Sequence, residues 1–276
     1  MKTQSNDLIG FSDFKIPILK IPPIQSIRNP YGEAIYYREF ENPSDTLLVL
    51  VHGMGGDSRY LTQLGIQLAS RTKFHVILPD LKHHGEMNNE KSAKLGPHED
   101  VVLDLNFLKD NLLQRRGFSK VMLVGHSLGG AVVLKWLLSQ PPNVFQKVVM
   151  ISPYLPQPYS VESKNFPLWI KRTDDGRMKL KFPEQAKWGS EVEEYEASYI
   201  RSCLPEPLSW DSCLQRCSGI TVIASDSDLI LDIEKYRRHL ANQNKIKFFE
   251  IPALSHIGLV TSGENGKKIF DLAFST

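Results

Sequence analysis

The stretch KVMLVGHSLGGAVVLKWLLSQ, residues 120–140, decides the fold of this chain. It begins with a short apolar run, residues 121–124, and after a glycine-rich turn it continues as an apolar segment of helical length, residues 131–138. A strand, a tight turn that contains one serine, and a helix form the context in which a G-x-S-x-G sequence indicates an exposed, activated hydroxyl. We therefore predict that Ser127 projects from the end of a strand at the start of a helix.

Two glycines, Gly125 and Gly129, flank this serine at the positions where such a turn is most crowded. A serine backbone in a sparsely allowed region brings these positions against the neighbouring strand and helix, and glycine removes the side chains that would collide. The helix N-terminus can stabilise negative charge that develops nearby. Residues 125–130 are also compatible with an ordinary glycine-rich turn, so a nucleophile additionally requires a base, an acid and two N–H donors.

Strands and helices alternate on both sides of this stretch. Apolar runs without polar alternation are typical of strands covered on both faces, and helical periodicity follows most of them. The predicted strands are residues 33–40, 46–51, 74–78, 121–124, 144–152, 219–224 and 245–251, and the predicted helices are residues 60–71, 96–117, 131–138, 231–242 and 267–274. This alternation predicts an α/β protein with a parallel, doubly wound sheet, in which residues 33–40 form an edge strand.

Residues 153–217 interrupt the alternation, because they are rich in proline, aromatic and charged residues and show no clear strand. We predict that they form a cap insertion over the C-terminal edge of the sheet, where open α/β sheets bind ligands. The core then comprises residues 1–152 and 218–276. The insertion contains three of the four tryptophans, Trp169, Trp188 and Trp210. They could line a lid over an acyl chain or form a small core that packs on the sheet.

The N-terminal segment and the composition limit the class of protein. Proline interrupts the apolar runs before residue 33, which favours an extended arm. A net charge of +2 is too small to indicate a nucleic-acid partner or an anionic membrane. The first residues lack the apolar core of a signal peptide, and no apolar run reaches the length of a membrane span. We therefore expect a cytoplasmic protein without stable membrane insertion, and its cysteines, Cys203, Cys213 and Cys217, are expected to be free thiols.

A serine nucleophile needs a base within hydrogen-bond reach and an acid that orients the base. Among the eight histidines, His256 lies in a loop just past the last predicted strand and before the last helix. The others lie in tight turns, in predicted strands or helices, or upstream of the serine. For the acid, both Asp226 and Asp228 stand directly after the strand at residues 219–224. Either aspartate could instead cap a helix or stabilise a turn.

Two N–H donors are also required for the negatively charged oxygen of a tetrahedral intermediate. The backbone amide of Leu128, directly after the serine, is one candidate. The glycine-rich loop HGMGG, residues 52–56, follows an early strand, and its Met54 amide is the natural second donor. This loop could instead cradle a phosphate, but it lacks the lysine and the serine or threonine of a P-loop.

A metal site is the remaining alternative, because His83 and His84 follow Asp80 closely. Adjacent histidine side chains point in different directions on most backbones, which argues against shared coordination. We therefore expect no metal at these residues.

Four separated pieces of the chain resemble the α/β-hydrolase superfamily, in the order in which they occur there. They are LVHGMGG (residues 50–56), GHSLGG (125–130), ASDSD (224–228) and LSH (254–256). Outside the insertion the whole chain is similar, most of all to the monoacylglycerol lipase and lysophospholipase-like serine hydrolases, whose insertion forms a small helical cap. Residues 79–85 are similar to the D-x-x-G-H-G element of that group, with histidine in place of the central glycine.

The resemblance implies hydrolysis of esters or thioesters through an acyl-enzyme, with Ser127 as nucleophile and His256 as base, and without a metal or an organic cofactor. In these relatives the acid usually stands three residues after a glycine that closes the strand. Ser225 occupies that position here, so the resemblance selects Asp228 over Asp226. Epoxide hydrolases and haloalkane dehalogenases of this fold use an aspartate nucleophile, and the serine argues against both.

The expected substrate is a small-molecule carboxylic ester with an apolar or lipid-like acyl group. Acyl-thioester hydrolysis and cofactor-free perhydrolysis use the same triad, and the sequence does not separate them from ester hydrolysis. A ligand-binding protein that keeps the fold with little turnover is the alternative from a different class. The complete triad, the oxyanion loop and the glycine turn argue against it.

Overall fold

A central β-sheet with helices on both faces organises the molecule. The computed structural model describes residues 21–88, 91–96, 99–181, 191–217 and 219–275. Within these ranges the strands are β1 (Gln25–Arg28), β2 (Ala34–Phe40), β3 (Thr46–Val51), β4 (His75–Pro79), β5 (Ser92–Ala93), β6 (Lys120–His126), β7 (Lys147–Ile151), β8 (Ile170–Arg172), β9 (Met178–Leu180), β10 (Glu194–Tyr195), β11 (Ile220–Ser225) and β12 (Ile246–Ile251). The main sheet has the order β1-β2-β4-β3-β6-β7-β11-β12. Its pairs are parallel except those that involve β2.

The helices follow most of the strands, as the alternation predicts. Within the described ranges they are a 3₁₀ turn (Ser58–Leu61), α1 (Thr62–Thr72), α2 (Val101–Arg116), α3 (Leu128–Ser139), α4 (Phe166–Trp169), α5 (Ala197–Cys203), α6 (Trp210–Arg216), α7 (Ile233–Leu240), α8 (Gly258–Thr261) and α9 (Gly263–Ala273). In this part of the chain we find no helix with the length and apolar character needed to cross a membrane.

Strand β3 shows why the sheet is apolar on both faces. Leu47 and Val49 join the core cluster that contains residues of α2 and α3, whereas Leu48 and Leu50 join the cluster with residues of α1 and α9. Successive strand residues point to opposite faces, so a strand covered on both sides needs apolar residues throughout. The prediction of a mostly parallel, doubly wound α/β sheet is therefore confirmed.

The prediction of an edge strand at residues 33–40 is wrong. Residues 25–28 form β1, which pairs antiparallel with β2 and places Ile27 opposite Ile35. Strand β2 therefore lies inside the sheet. Because β1 has four residues and only Ile27 is buried in it, no period-2 pattern was long enough to reveal it. The earlier part of the predicted arm, residues 1–20, lies outside the described residues.

Helix α2 begins later than its sequence predicts. Asp100 is the N-cap, and its side chain accepts a hydrogen bond from the Val102 N–H at 2.8 Å. The predicted start at Gly96 therefore precedes the helix, and Pro97 lies outside the described residues. The predicted end is confirmed, because Gly117 caps the helix with a left-handed φ of 68°.

The proposed insertion, residues 153–217, contains helices α4 to α6 and also three short strands that the sequence did not predict. Strands β8, β9 and β10 join β5 in a second sheet of order β5-β10-β9-β8. Strands of two or three residues are too short for a periodic pattern. Trp210 is buried in the main core and Trp169 is buried separately, while Trp188 lies outside the described residues.

The three cysteines, Cys203, Cys213 and Cys217, are buried with free thiols. Burial raises the pKa of Cys203 and of Cys213 to about 12. These two thiols therefore stay protonated at neutral pH, which makes them poor nucleophiles and poor metal ligands.

Candidate active site

Ser127 lies in the turn between β6 and α3 in a conformation that few non-glycine residues adopt. Its φ is 54° and its ψ is −120°, a strained combination of the kind that accumulates at functional sites. A Cβ at Gly125 would lie 2.3 Å from the Gly129 carbonyl oxygen, and a Cβ at Gly129 would lie 2.2 Å from the Val51 carbonyl oxygen. The turn therefore requires glycine at both positions that flank the serine.

The loops after β11 and β12 bring Asp228 and His256 into contact. The His256 Nδ1 atom lies 2.6 Å from Asp228 Oδ2, and both side chains are buried. The other carboxylate oxygen, Oδ1, accepts hydrogen bonds from the N–H groups of Ile230 and Leu231 at 2.9 and 3.0 Å. With both oxygens engaged, the carboxylate holds the proton of the imidazole on Nδ1 and leaves Nε2 available as a base.

The Asp228 carboxyl group titrates below its ordinary range. Burial alone would raise its pKa, but attraction to His256 and the hydrogen bonds from His256, Leu231 and Ile230 outweigh burial and lower it. The group is therefore a carboxylate at neutral pH, as an orienting acid requires.

Asp226 has a different role in the structure. Its side chain is exposed, and its Oδ1 accepts a hydrogen bond from the Ala253 N–H at 2.8 Å. Asp226 thus stabilises the loop before His256 on its solvent-exposed side. The imidazole itself is held by Asp228.

His126 supports the same loop from inside the protein. Its Nε2 lies 3.0 Å from the carbonyl oxygen of His256, so this nitrogen carries the proton and donates. Burial, with a further contribution from His256, lowers the pKa of His126 to about 3. The sequence alone did not suggest this contact, because the two residues are 130 positions apart.

Ser127, His256 and Met54 line one cavity at the C-terminal edge of the sheet. The cavity has a volume of about 70 Å³, and its mouth opens to solvent. Its remaining walls are largely apolar, formed by Trp169, Ile170, Leu180, Ile230, Ile257 and Val260. Tyr60 and Lys181 also line it. The arrangement can therefore hold an apolar group next to a serine hydroxyl.

The loop of residues 52–56 lies directly against the serine turn. A Cβ at Gly53 would lie 2.9 Å from the Ser127 Cβ, so the backbone of this loop can approach only because Gly53 has no side chain. His52 Nε2 accepts a hydrogen bond from the Leu81 N–H at 3.0 Å, which leaves Nδ1 to donate to the Gly53 carbonyl oxygen at 2.9 Å. Burial lowers the pKa of His52, and the neutral ring can make both contacts.

Leu128, the second predicted donor, is the first residue of α3. The first N–H groups of a helix have no acceptor within the helix, so this amide is available to a ligand. The amide of Met54 lies in the loop of residues 52–56, which approaches the serine turn at Gly53. The structure thus brings together Ser127, His256, Asp228 and the segments that contain both predicted donors.

The site also contains residues that the sequence did not single out. Tyr60 lines the cavity, and its hydroxyl donates to Glu191 Oε1 at 2.9 Å. Tyr195 contacts both Gly55 and His84. Only His84 had a signal in the sequence, since it belongs to the segment similar to D-x-x-G-H-G. The tyrosine contacts join residues more than 100 positions apart, which no local pattern reveals.

The residues of the alternative metal site have other partners in the structure. Asp80 Oδ1 accepts a hydrogen bond from the Ser58 N–H at 2.7 Å, and His84 Nε2 lies 2.6 Å from the Tyr195 hydroxyl. Among the described residues, no group of three or more His, Cys, Asp or Glu side chains is arranged to hold a metal ion.

Comparison with known proteins identifies one family. The model of the family described as serine aminopeptidase, S33, matches residues 42–201 of the chain. This match covers more than half of the chain and includes the loop of residues 52–56 and the serine turn.

Curated relatives match the chain over part of their length. The sn-1-specific diacylglycerol lipase ABHD11 of Danio rerio is 29% identical over 162 residues, which cover 57% of this chain and 47% of that protein. Lipase 1 of Psychrobacter immobilis is 30% identical over 122 residues, which cover 44% of this chain and 36% of that lipase. The matched segment thus spans about half or less of these relatives.

Solved structures show the same fold at low sequence identity. A soluble variant of monoglyceride lipase from Saccharomyces cerevisiae, in complex with a substrate analogue, superposes with a TM-score of 0.70 at 14% identity. The superposition covers 94% of this chain and 95% of that lipase. A monoacylglycerol lipase of Paleococcus ferrophilus superposes with a TM-score of 0.55 at 20% identity, over 80% of this chain and 90% of that one.

Proposed function

Because the chain belongs to the serine aminopeptidase S33 family and has the α/β-hydrolase fold, we propose that it is a serine hydrolase of carboxylic esters with apolar or lipid-like acyl groups. The observation that carries this proposal is the strained Ser127 turn beside the His256–Asp228 pair in an apolar cavity. The lipase names of the relatives support the same class of substrate.

In the first half of the proposed reaction, Ser127 Oγ attacks the acyl carbon of the ester. His256 Nε2 takes the serine proton and then gives it to the departing alcohol, as in other serine triads. Asp228 keeps the other proton of the ring on Nδ1, 2.6 Å away, and stabilises the imidazolium that forms. The product of this half is an acyl-enzyme on Ser127.

In the second half, water attacks the acyl-enzyme with His256 again as the base, and the fatty acid leaves. In both halves a negatively charged oxygen forms on the acyl carbon. We propose that the amides of Met54 and Leu128 hold this oxygen. Fixed donors that are already in place lower the barrier because they need no reorganisation when the charge develops.

The walls of the cavity favour an ester with an apolar acyl group over a peptide with a free N-terminus. An aminopeptidase must bind a positively charged amine, and a buried or partly buried amine requires a carboxylate partner. Among the described residues that line the cavity, none is an aspartate or glutamate, and the charged one is Lys181. In our proposal the segment 153–217 acts as a cap, because it supplies Trp169, Ile170 and Leu180 to these walls.

The test is hydrolysis of p-nitrophenyl esters from acetate to palmitate by the wild-type protein and by Ser127→Ala. We expect activity that peaks at one medium or long acyl chain and is lost in the variant, with fluorophosphonate labelling of the wild type alone. Parallel assays with acyl-thioesters and with amino-acid p-nitroanilides measure thioesterase and aminopeptidase activity, so that their rates can be compared with the rates of ester hydrolysis. Faster cleavage of the anilides than of every ester would contradict the proposal, and so would an unlabelled Ser127 in a folded wild type.

A further inference from the structure

Tyr195 reaches from strand β10 of the cap to the loop that contains Met54. Its hydroxyl oxygen lies 2.5 Å from the Gly55 nitrogen, which donates to it, and 2.6 Å from His84 Nε2. Tyr195 is completely buried, and it is not among the described residues that line the cavity. It therefore contacts the loop behind the site and does not face the substrate.

The directions of the hydrogen bonds in this chain of contacts follow from the chemistry of the groups. His84 Nδ1 lies 2.9 Å from the Lys82 carbonyl oxygen, which can only accept, so Nδ1 carries the proton. Burial lowers the pKa of His84 to about 3, and the ring is neutral. Its Nε2 must then accept from the Tyr195 hydroxyl, which leaves the hydroxyl oxygen to accept from the Gly55 N–H.

Gly55 matters because of the two peptide planes on either side of Met54. The Gly53 carbonyl and the Met54 N–H belong to one planar peptide unit, and His52 holds the carbonyl at 2.9 Å. The Gly55 N–H belongs to the next unit, and Tyr195 holds it. With both planes fixed, the backbone angles of Met54 are fixed too, and the direction of its N–H is set.

We propose that Tyr195 is a positioning residue of the oxyanion hole, which acts through Gly55 to hold the Met54 N–H toward the acyl oxygen. The inference rests on the proposed function and deepens it, because it gives the cap a part in catalysis as well as in covering the site. Gly55 has a left-handed φ of 77°, so the loop has other conformations open to it once Tyr195 no longer holds it.

The experiment compares Tyr195→Phe with the matched control Tyr199→Phe. Tyr199 is the neighbouring ring in the same buried cluster. Its hydroxyl donates to the Lys82 carbonyl oxygen at 2.9 Å and lies 3.3 Å from His84 Nδ1, and it makes no contact with Gly55. Both variants lose one buried hydroxyl. We measure kcat and KM on the best ester of the series, the affinity for an alkyl trifluoromethyl ketone, and the affinity for the fatty acid product.

For Tyr195→Phe we expect kcat to fall by about tenfold or more with little change in KM, since an oxyanion donor acts in the transition state. The affinity for the ketone, which forms a tetrahedral adduct, should weaken by a similar factor, and that for the fatty acid should stay within about twofold. For Tyr199→Phe all of these should remain within about twofold of wild type.

A folded Tyr195→Phe protein with wild-type kcat and wild-type ketone affinity would overturn the inference. If Tyr195→Phe does not fold, His84→Leu removes the acceptor that orients the hydroxyl, and an unchanged kcat in that variant overturns it equally. Failure of the proposed function looks different, because the wild type would then cleave no ester at all and Ser127 would not be labelled.

Discussion

Two aspartates that stand two residues apart in the sequence have different environments and different partners. Asp228 is buried and holds His256 Nδ1 with one oxygen, while Asp226 is exposed and caps the Ala253 N–H. From the sequence alone, either aspartate could be the acid that orients His256, and only the resemblance to the α/β-hydrolase superfamily favoured Asp228. The contact with His256 supports the same assignment.

We predict that Asp228→Asn lowers kcat by about 10³ to 10⁴-fold, while Asp226→Asn stays within about twofold of wild type. An amide at position 228 can present its NH₂ group to Nδ1, which drives the histidine proton to Nε2 and removes the base. The measurement is kcat on the best ester for both variants, with circular dichroism to verify folding. Equal losses in the two variants would assign the orienting role to neither aspartate.

Local motifs revealed the parts of the site that lie close together in the sequence. The glycines around Ser127, the loop of residues 52–56 and the loop positions of Asp228 and His256 were all readable, because each is fixed by the turn that contains it. Tyr195 was not, since its hydroxyl meets Gly55 across 140 positions. Such a contact depends on how the cap packs, and no periodicity or motif encodes that packing.

At the scale of elements, the hairpin of β8 and β9 divides its residues between the cavity and the outside. Ile170 pairs with Leu180, and both line the cavity. Lys171 pairs with Lys179 on the next rung, where both side chains are exposed. Alternation along β9 thus places Lys179 on the exposed face and Met178 and Leu180 on the opposite face.

We predict that Leu180→Trp shortens the acyl chain that the site accepts, because the larger ring would fill part of the cavity. The ratio of kcat/KM for palmitate to that for butyrate should fall by about tenfold or more, a loss equivalent to a few methylene contacts. Lys179→Trp adds the same ring one residue away on the exposed face and should leave the ratio unchanged. An unchanged ratio in Leu180→Trp would mean that the acyl chain does not reach this hairpin.

Elements were predictable where they were long and were missed where they were short. The six-residue strand β3, with five apolar residues in a row, and the sixteen-residue helix α2 have enough length for a pattern. The start of α2 is nevertheless set by its cap residue, Asp100. Strands β1, β5, β8, β9 and β10 have two to four residues. Their strand character comes from pairing with distant partners, so it depends on tertiary structure.

At the scale of the whole molecule, the protein buries several imidazoles in their neutral form. Burial lowers the pKa of His52 and His75, and it lowers the pKa of His84 and His126 to about 3. In the unfolded chain these groups return to the ordinary value of 6.5. Between pH 6.5 and about 3 the unfolded state therefore binds more protons than the native state. Because of this difference, the free energy of unfolding falls as the pH falls.

We predict that His84→Gln flattens this pH dependence. Removing one such group should reduce the slope of the unfolding free energy between pH 6 and pH 4.5 by up to about 1.4 kcal/mol per pH unit. Urea unfolding followed by tryptophan fluorescence at half-unit steps of pH gives the slope. Tyr195→Phe is the matched control, because it removes the hydrogen-bond partner of His84 but keeps the buried ring, so it should lower stability and retain the wild-type slope.

The two variants separate the cost of burial from the cost of a lost hydrogen bond. A wild-type slope in His84→Gln would mean that His84 takes up its proton in the native state at the same pH as in the unfolded chain. A flattened slope in Tyr195→Phe would mean that the hydroxyl, and not burial, keeps the ring neutral. If only His84→Gln flattens the slope, acid weakens the protein through the same neutral imidazole that orients the Tyr195 hydroxyl. The molecules that remain folded keep this imidazole neutral, and with it the geometry of the loop that contains Met54, until the pH falls to about 3.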